Sequence, residues 1–165
     1  MFILFIYISF FSFLSFLPTV CQTCPKDWIQ FQKSCYFFNH FISQWKTWDQ
    51  SRQFCQSNKS DLVVISSLEE QTFIKNTIQY YYDIWHGYWI GLQKTHLGKE
   101  EFLLHINMFI KCADGFLFIF RYWNNPGSSE NFTLIAKDPA LTQSWIQNRN
   151  GFLNRFICEI KALIF

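Results

Sequence analysis

The side chains best able to do chemistry in this chain are six cysteines: Cys21, Cys24, Cys35, Cys55, Cys112 and Cys158. Thiols can ligate a metal, exchange electrons or cross-link a fold. A structural zinc site needs a Cys-x-x-Cys pair facing a second such pair or a His pair, and no such partner pair occurs. Cys21 and Cys24 have the redox spacing, but they straddle the end of an apolar leader, which argues against exchange chemistry there. In an oxidising compartment the cysteines are expected to pair, and six of them allow 15 connectivities from sequence alone.

Catalytic groupings are missing. His40, His86, His96 and His105 stand outside any HExxH or His-x-His context, and neither Gly-x-Ser-x-Gly nor a phosphate-cradling glycine loop is present. The expectation is a protein that binds and does not catalyse. Net charge is +2, with Lys and Arg no denser than isolated residues or close pairs. A phosphate-binding stripe is therefore absent, and no nucleic-acid partner is expected.

The elements that position these groups begin after the leader. Met1 to Leu17 is almost wholly Phe, Ile, Leu and Tyr, diluted by Ser9, Ser12 and Ser15, and Pro18 breaks it. Residues 1–21 read as a signal peptide or a membrane anchor, and cleavage after Thr19-Val20-Cys21 would suit the first. Either reading exports the remainder, a single domain over residues 24–160. Aromatics form 21% of the chain, enough for a heavy apolar core.

Cys24 to Cys35 reads as a short hairpin, and Tyr36, Phe37 and Phe38 as its continuing strand. Thr47-Trp48-Asp49-Gln50 is a capping box opening a helix that buries Trp48 and Cys55 and ends at Asn58, Lys59 and Ser60. Leu62 to Ile65 reads as a strand. Ser67-Leu68-Glu69-Glu70 is a second capping box, launching a helix with Leu68, Gln71, Ile74 and Ile78 on one face. Trp89 to Leu92 is a buried strand pattern. Phe102–Ile110 and Phe116–Phe120 read as a core hairpin turning at Asp114-Gly115. Strands follow near Phe132–Ala136 and Gln143–Ile146, and Arg155 to Glu159 closes the domain.

Six segments, in this order, resemble the long form of the C-type lectin-like superfamily: CPKDWIQFQKSCYFF, WKTWDQSRQFC, DLVVISSLEEQTFI, YWIGLQ, YWNN and NRFICE. The flavour is that of its immune-receptor branch, similar to natural-killer-cell and dendritic-cell lectin-like receptors. The resemblance implies an α+β fold, two helices on antiparallel sheets with a long loop region. It also implies the pairings Cys24–Cys35 and Cys55–Cys158. The family's inner bridge would need cysteines where Phe132 and Asn150 stand, so the long loop is expected to be mobile and held by packing alone. Cys112 is left over, and it or Cys21 could link two chains. Relatives are shorter by about ten residues before Asp114-Gly115, so residues 99–112 resemble an insertion.

Sugar-binding members hold calcium with a Glu-Pro-Asn or Gln-Pro-Asp tripeptide, a nearby Glu, and an Asn-Asp pair after a Trp. Here the loop Asn124-Asn125-Pro126-Gly127-Ser128-Ser129-Glu130 lacks the tripeptide, and Ile146-Gln147 follows Trp145. Glu130 alone offers a carboxylate, too little for an ion that takes six to eight oxygens. The resemblance thus implies no calcium or other cofactor, and a protein or glycan ligand at the cell surface. Candidate contacts are Lys137, Asp138, Gln143, Gln147, Asn148 and Arg149, with Arg149 favoured by its enrichment at hot spots. The alternative is a calcium-dependent carbohydrate lectin with other ligands. Asn58-Lys59-Ser60 and Asn131-Phe132-Thr133 are sequons for N-glycosylation.

Overall fold

The computed structural model describes residues 24–83, 85–94, 100–102, 122–124 and 129–161. The leader, Cys21, Cys112 and the expected hairpin about Asp114-Gly115 lie outside them. In chain order the elements are β1 (Ile29–Phe31), β2 (Ser34–Asn39), α1 (Trp48–Ser57), β3 (Asp61–Leu62) and α2 (Leu68–Thr77), then β4 (Tyr88–Lys94), β5 (Glu100–Phe102), β6 (Phe132–Ile135), β7 (Trp145–Asn148) and β8 (Arg155–Lys161). The sheet runs β1-β2-β8-β4-β6-β7, with β3 on β8 and β5 on β4. Every named pairing is antiparallel except β4 with β8.

The two-residue period of β4 explains why each helix takes its own side. Tyr88, Ile90 and Leu92 join Ile74 and Ile78 of α2, with Tyr36, Ile135, Trp145 and Ile157. Trp89 points the other way, joining Trp48 and Cys55 of α1 with Leu134, Ile146, Phe156 and Cys158. Successive strand side chains alternate between faces, so a central strand between two helices must be apolar on both. Gly91 has a separate reason. A Cβ there would lie 2.7 Å from the Leu62 carbonyl oxygen, because the Gly91 N–H donates to Val63 O at 2.8 Å. Only glycine lets the two backbones approach so closely.

Thr47 forms the full capping box: its hydroxyl accepts from Gln50 N–H and its N–H donates to Gln50 Oε1, both at 3.2 Å. The second box is half made. Ser67 accepts from Glu70 N–H at 3.1 Å, but the Glu70 carboxylate turns inward to Ser66 and to the Tyr36 hydroxyl at 2.9 Å. Burial, with the Glu159 and Glu70 carboxylates beside it, pushes the Tyr36 phenol far up, so it stays a donor.

The buried face of α2 also differs from the expected stripe. Leu68 is 45% exposed, whereas Glu70 and Lys75 are buried with Gln71 and Ile74. Gln71 is wholly buried because tertiary partners satisfy it: its Nε2 donates to Ser144 Oγ at 2.7 Å and its Oε1 accepts from Trp145 Nε1 at 3.1 Å. Of the expected 62–65 strand only Leu62 pairs as a strand, in β3 with Asp61 before it. The expected Gln143–Ile146 strand starts later, at Trp145, since residues 141–143 form a 3-10 turn.

Cys24–Cys35 closes the hairpin, and Cys55–Cys158 joins α1 to β8 across 103 residues. At the two positions where the resemblance expects an inner bridge, both side chains reach the first turn of α1. Phe132 packs on Trp48 with ring centroids 4.8 Å apart. Asn150 accepts from Asp49 N–H at 3.1 Å and donates to the Asp49 carboxylate. Contacts with Trp48 and Asp49 of α1 thus stand at the two positions where the resemblance expects a sulfur link. The loop itself, residues 103–121 and 125–128, lies outside the described residues.

Candidate functional site

The connection from α2 to β4 carries Tyr80, Tyr81, Tyr82, Trp85 and His86, and one carboxylate organises it. Asp83 Oδ1 accepts from the backbone N–H groups of Trp85 and His86, both at 2.9 Å. Its other oxygen meets His86 Nδ1 at 2.7 Å. An Asp binding the backbone two and three residues on fixes a turn without secondary structure. Partial burial pushes the Asp83 carboxyl up, but the bond from His86 and those two backbone bonds outweigh it and leave the carboxyl below its ordinary value. His86 in turn lies on Phe152 and Trp45, with ring centroids at 4.8 and 4.7 Å. Tyr81 meets Trp45 edge-on at 5.1 Å. The loop is propped from below, while Tyr82 (77%) and Trp85 (60%) remain exposed.

Beneath this loop the Arg155 guanidinium, itself buried, lies over the rings of Tyr88 at 4.3 Å and Tyr81 at 5.4 Å. The Tyr88 hydroxyl accepts Gln79 N–H at 3.2 Å and lies 2.6 Å from His40 Nδ1. Burial, and then repulsion from Arg155, hold the His40 pKa below its usual value. Burial likewise raises the Tyr88 phenol, against the pull of the Gln79 N–H and Arg155. The unfolded chain then binds a proton at His40 near pH 6.5 that the folded chain refuses, so stability falls as pH drops from about 6.5 toward the lower folded value. His40→Gln is expected to flatten that limb in urea midpoints measured from pH 7 to pH 5. An unchanged slope would assign the acid lability elsewhere.

The opposite wall is the loop after β6, held by two reciprocating lysines. Lys75 Nζ donates to the carbonyls of Ala136 at 2.7 Å, Lys137 and Pro139 at 2.9 Å. Lys137 Nζ returns to the carbonyls of Lys75 and Asn76, satisfying orphan acceptors at the negative end of α2. Burial and the neighbouring Lys137 pull the Lys75 ammonium down to about 8, with Asp138 opposing. Between the two walls lies a cleft of about 410 Å³, lined by Tyr81, Asp83, Trp85, Asn124, Lys137 and Asp138 among others.

The structure divides the six candidate contacts between the two ends of β7. Lys137 and Asp138 line the cleft, although Lys137 is engaged in capping α2. Gln143 is exposed on the 3-10 turn before β7. At the far end Gln147 is buried, paired across the sheet with Thr133. Asn148 is half-buried and accepts Arg149 N–H at 2.8 Å, and Arg149 is exposed beyond it. Tyr81, Asp83, Trp85 and His86 were not among the sequence candidates. The run Tyr80-Tyr81-Tyr82 beside Asp83 was the available signal, since that many aromatics outside any periodic pattern cannot all be core.

Residues 44–160 match the family described as Lectin C-type domain. C-type lectin domain family 4 member G of Mus musculus is 31% identical over 106 residues, covering 64% of this chain. The chain spans about a third (31%) of that relative's length. Among solved structures, the cow C-type carbohydrate-recognition domain of CD23, determined in the presence of a GlcNAc2Man3 oligosaccharide, superposes with a TM-score of 0.61. It is 29% identical, over 86% of this chain and 98% of that one. A calcium-independent type II antifreeze protein shares the fold, with a TM-score of 0.62 at 22% identity over 86% of this chain and 96% of its own.

Proposed function

This chain belongs to the lectin C-type domain family, and we propose that it works as an exported receptor-type module that recognises a protein or glycoprotein without calcium. Ile146 carries the reading. It is 7% exposed and packs with Leu134 and Ala136 on the α1 side of the sheet. It occupies the place after Trp145 where the resemblance puts the first of two oxygen ligands, and a buried butyl group offers the ion nothing. Gln147, in the second place, is a buried neutral amide. Calcium affinity depends on the number of charged oxygens converging on the ion, which favours recognition through side chains and backbone alone.

Export is supported by the two bridges, which need an oxidising compartment. Among the described residues no helix is long and apolar enough to cross a membrane; residues 1–21 are the proposed signal peptide or membrane anchor. A covalent dimer through Cys21 or Cys112 is part of the same proposal, as is a binding role in place of catalysis. Asn58 and Asn131 are exposed and are the proposed glycan acceptors.

Isothermal titration of the secreted chain with calcium is expected to give no binding heat up to millimolar ion, and ligand capture is expected to survive a chelator. Micromolar calcium binding would replace this reading with that of a metal-dependent lectin. Gel mobility of the same material before and after glycosidase reports on Asn58 and Asn131.

A further inference from the structure

Among the glycines of the described residues, Gly151 is the one the fold does not require. A Cβ on Gly87 or Gly91 would stand 2.3 or 2.7 Å from a backbone oxygen, whereas one on Gly151 would meet nothing within 4 Å. Its φ also lies outside the left-handed region. Neither close approach nor backbone strain therefore accounts for a glycine here. What distinguishes the position is its predecessor, because Asn150-Gly151 is the only Asn-Gly step in the chain.

That step has a chemistry of its own. An asparagine side-chain amide can swing onto the peptide nitrogen of the next residue, and a glycine there puts no side chain in the way. The Gly151 nitrogen gives its proton to water and attacks Asn150 Cγ. The N–Cγ bond forms, the Cγ–Nδ2 bond breaks, and Nδ2 takes up a proton and leaves as ammonia. Water then opens the resulting five-membered imide at either carbonyl. The product is aspartate or, where the main chain has moved onto Cγ, isoaspartate. Nothing is oxidised or reduced, and water is the only co-reactant.

The surroundings leave the nucleophile free and hold the electrophile. Gly151 is exposed, and its N–H donates to no group among the described residues. Phe152 N–H donates to Arg149 O at 3.1 Å, closing a turn about Asn150 and Gly151. Asn150 Oδ1 accepts from Asp49 N–H at 3.1 Å, and Nδ2 donates to the Asp49 carboxylate. Both ends of the amide are thus fixed on the first turn of α1, 101 residues away in sequence. A bond to a charged acceptor is among the stronger ones a side-chain amide can make.

We propose that Asn150-Gly151 is a site of spontaneous deamidation restrained by Asp49, reacting when the amide swings off the first turn of α1. Such release is a local opening that leaves the rest of the domain folded. The product keeps the clasp from closing again. Nδ2, which donates to Asp49, is replaced by a carboxylate oxygen, and two like charges then stand side by side. The step therefore runs one way, loosens the join between α1 and the turn after β7, and sets a negative charge beside Arg149.

Peptide mapping by mass spectrometry of the full secreted chain, incubated at neutral pH and body temperature, tests the site through isoaspartate at position 150. The parent is expected to accumulate it steadily. Gly151→Ala, which the open space accommodates, should reduce it to the background of the other asparagines. Asp49→Ala should speed it about tenfold or more, the worth of a hydrogen bond to a charged group. Gln50→Ala breaks the capping box of α1 but keeps the Asp49 carboxylate, and should speed it less. Amide exchange in the first turn of α1 should be faster in the deamidated fraction than in the parent.

A folded parent that stays unmodified at 150, over a time in which the urea-unfolded chain converts, overturns the site. Equal rates in the parent and Asp49→Ala, or equal acceleration by Asp49→Ala and Gln50→Ala, overturn the restraint by Asp49. Unchanged amide exchange in the deamidated fraction overturns the loosening of α1.

Discussion

Replacing Cys55 and Cys158 together with alanine is expected to reduce secretion of the chain to background. Their bridge closes 103 residues, and loop-closure entropy puts its contribution at about 4.7 kcal/mol in the chain-entropy account. A domain of this size has roughly 5–15 kcal/mol of total stability, so the loss removes a third or more of it. The double replacement also avoids leaving a reactive buried thiol, which a single change would create. Cys24–Cys35, with a separation of 11, contributes about 2.8 kcal/mol by the same relation. Its loss is expected to lower the thermal midpoint while still permitting export. Secreted yield and thermal midpoint of the two double variants check the ranking. Equal secretion of both would remove the Cys55–Cys158 bridge from its central place.

Trp145→Ala is the second large effect. The indole is 1% exposed and lies against Tyr122 and Trp123, with ring centroids at 5.2 and 5.7 Å. Truncation leaves a cavity costing about 3–5 kcal/mol. It also strands Gln71 Oε1, which accepts the indole N–H inside the core, and an unsatisfied buried acceptor costs about 1–3 kcal/mol. The two parts overlap, so their sum is an upper bound. Trp145→Phe keeps most of the ring area and isolates the polar part, with an expected loss of about 1–3 kcal/mol. Urea midpoints of both variants separate packing from hydrogen bonding. A Phe variant as unstable as the Ala variant would make the Gln71 bond the dominant contribution.

Both effects show which information was local and which was not. Thr47 and Gln50 cap α1 through contacts three residues apart, so four letters suffice to specify them. The apolar run Trp89 to Leu92 signalled a buried strand because such a run needs only adjacent side chains. Gln71 is the opposite case. As a letter it is a polar flaw in an apolar stripe, and only Ser144 and Trp145, more than seventy residues away, make it a core residue. Leu68 fails for the same reason in reverse: helical spacing assigned it to the buried face, but neighbouring elements cover Glu70 and Lys75 instead.

By itself, the sequence determined the cysteine-rich character, the first helix with its cap, the hairpin and the lectin-like order of segments. Each depends on composition or on neighbours a few residues apart. The tertiary structure alone decided that Asn150 and Phe132 grip the first turn of α1, and that Lys137 is occupied in capping α2. It alone also decided that Tyr81, Trp85 and Asp138 face one cleft. Such contacts are set by how the two helices and the sheet stack, where the free energy of burial is summed over distant residues. No short window of sequence contains that sum.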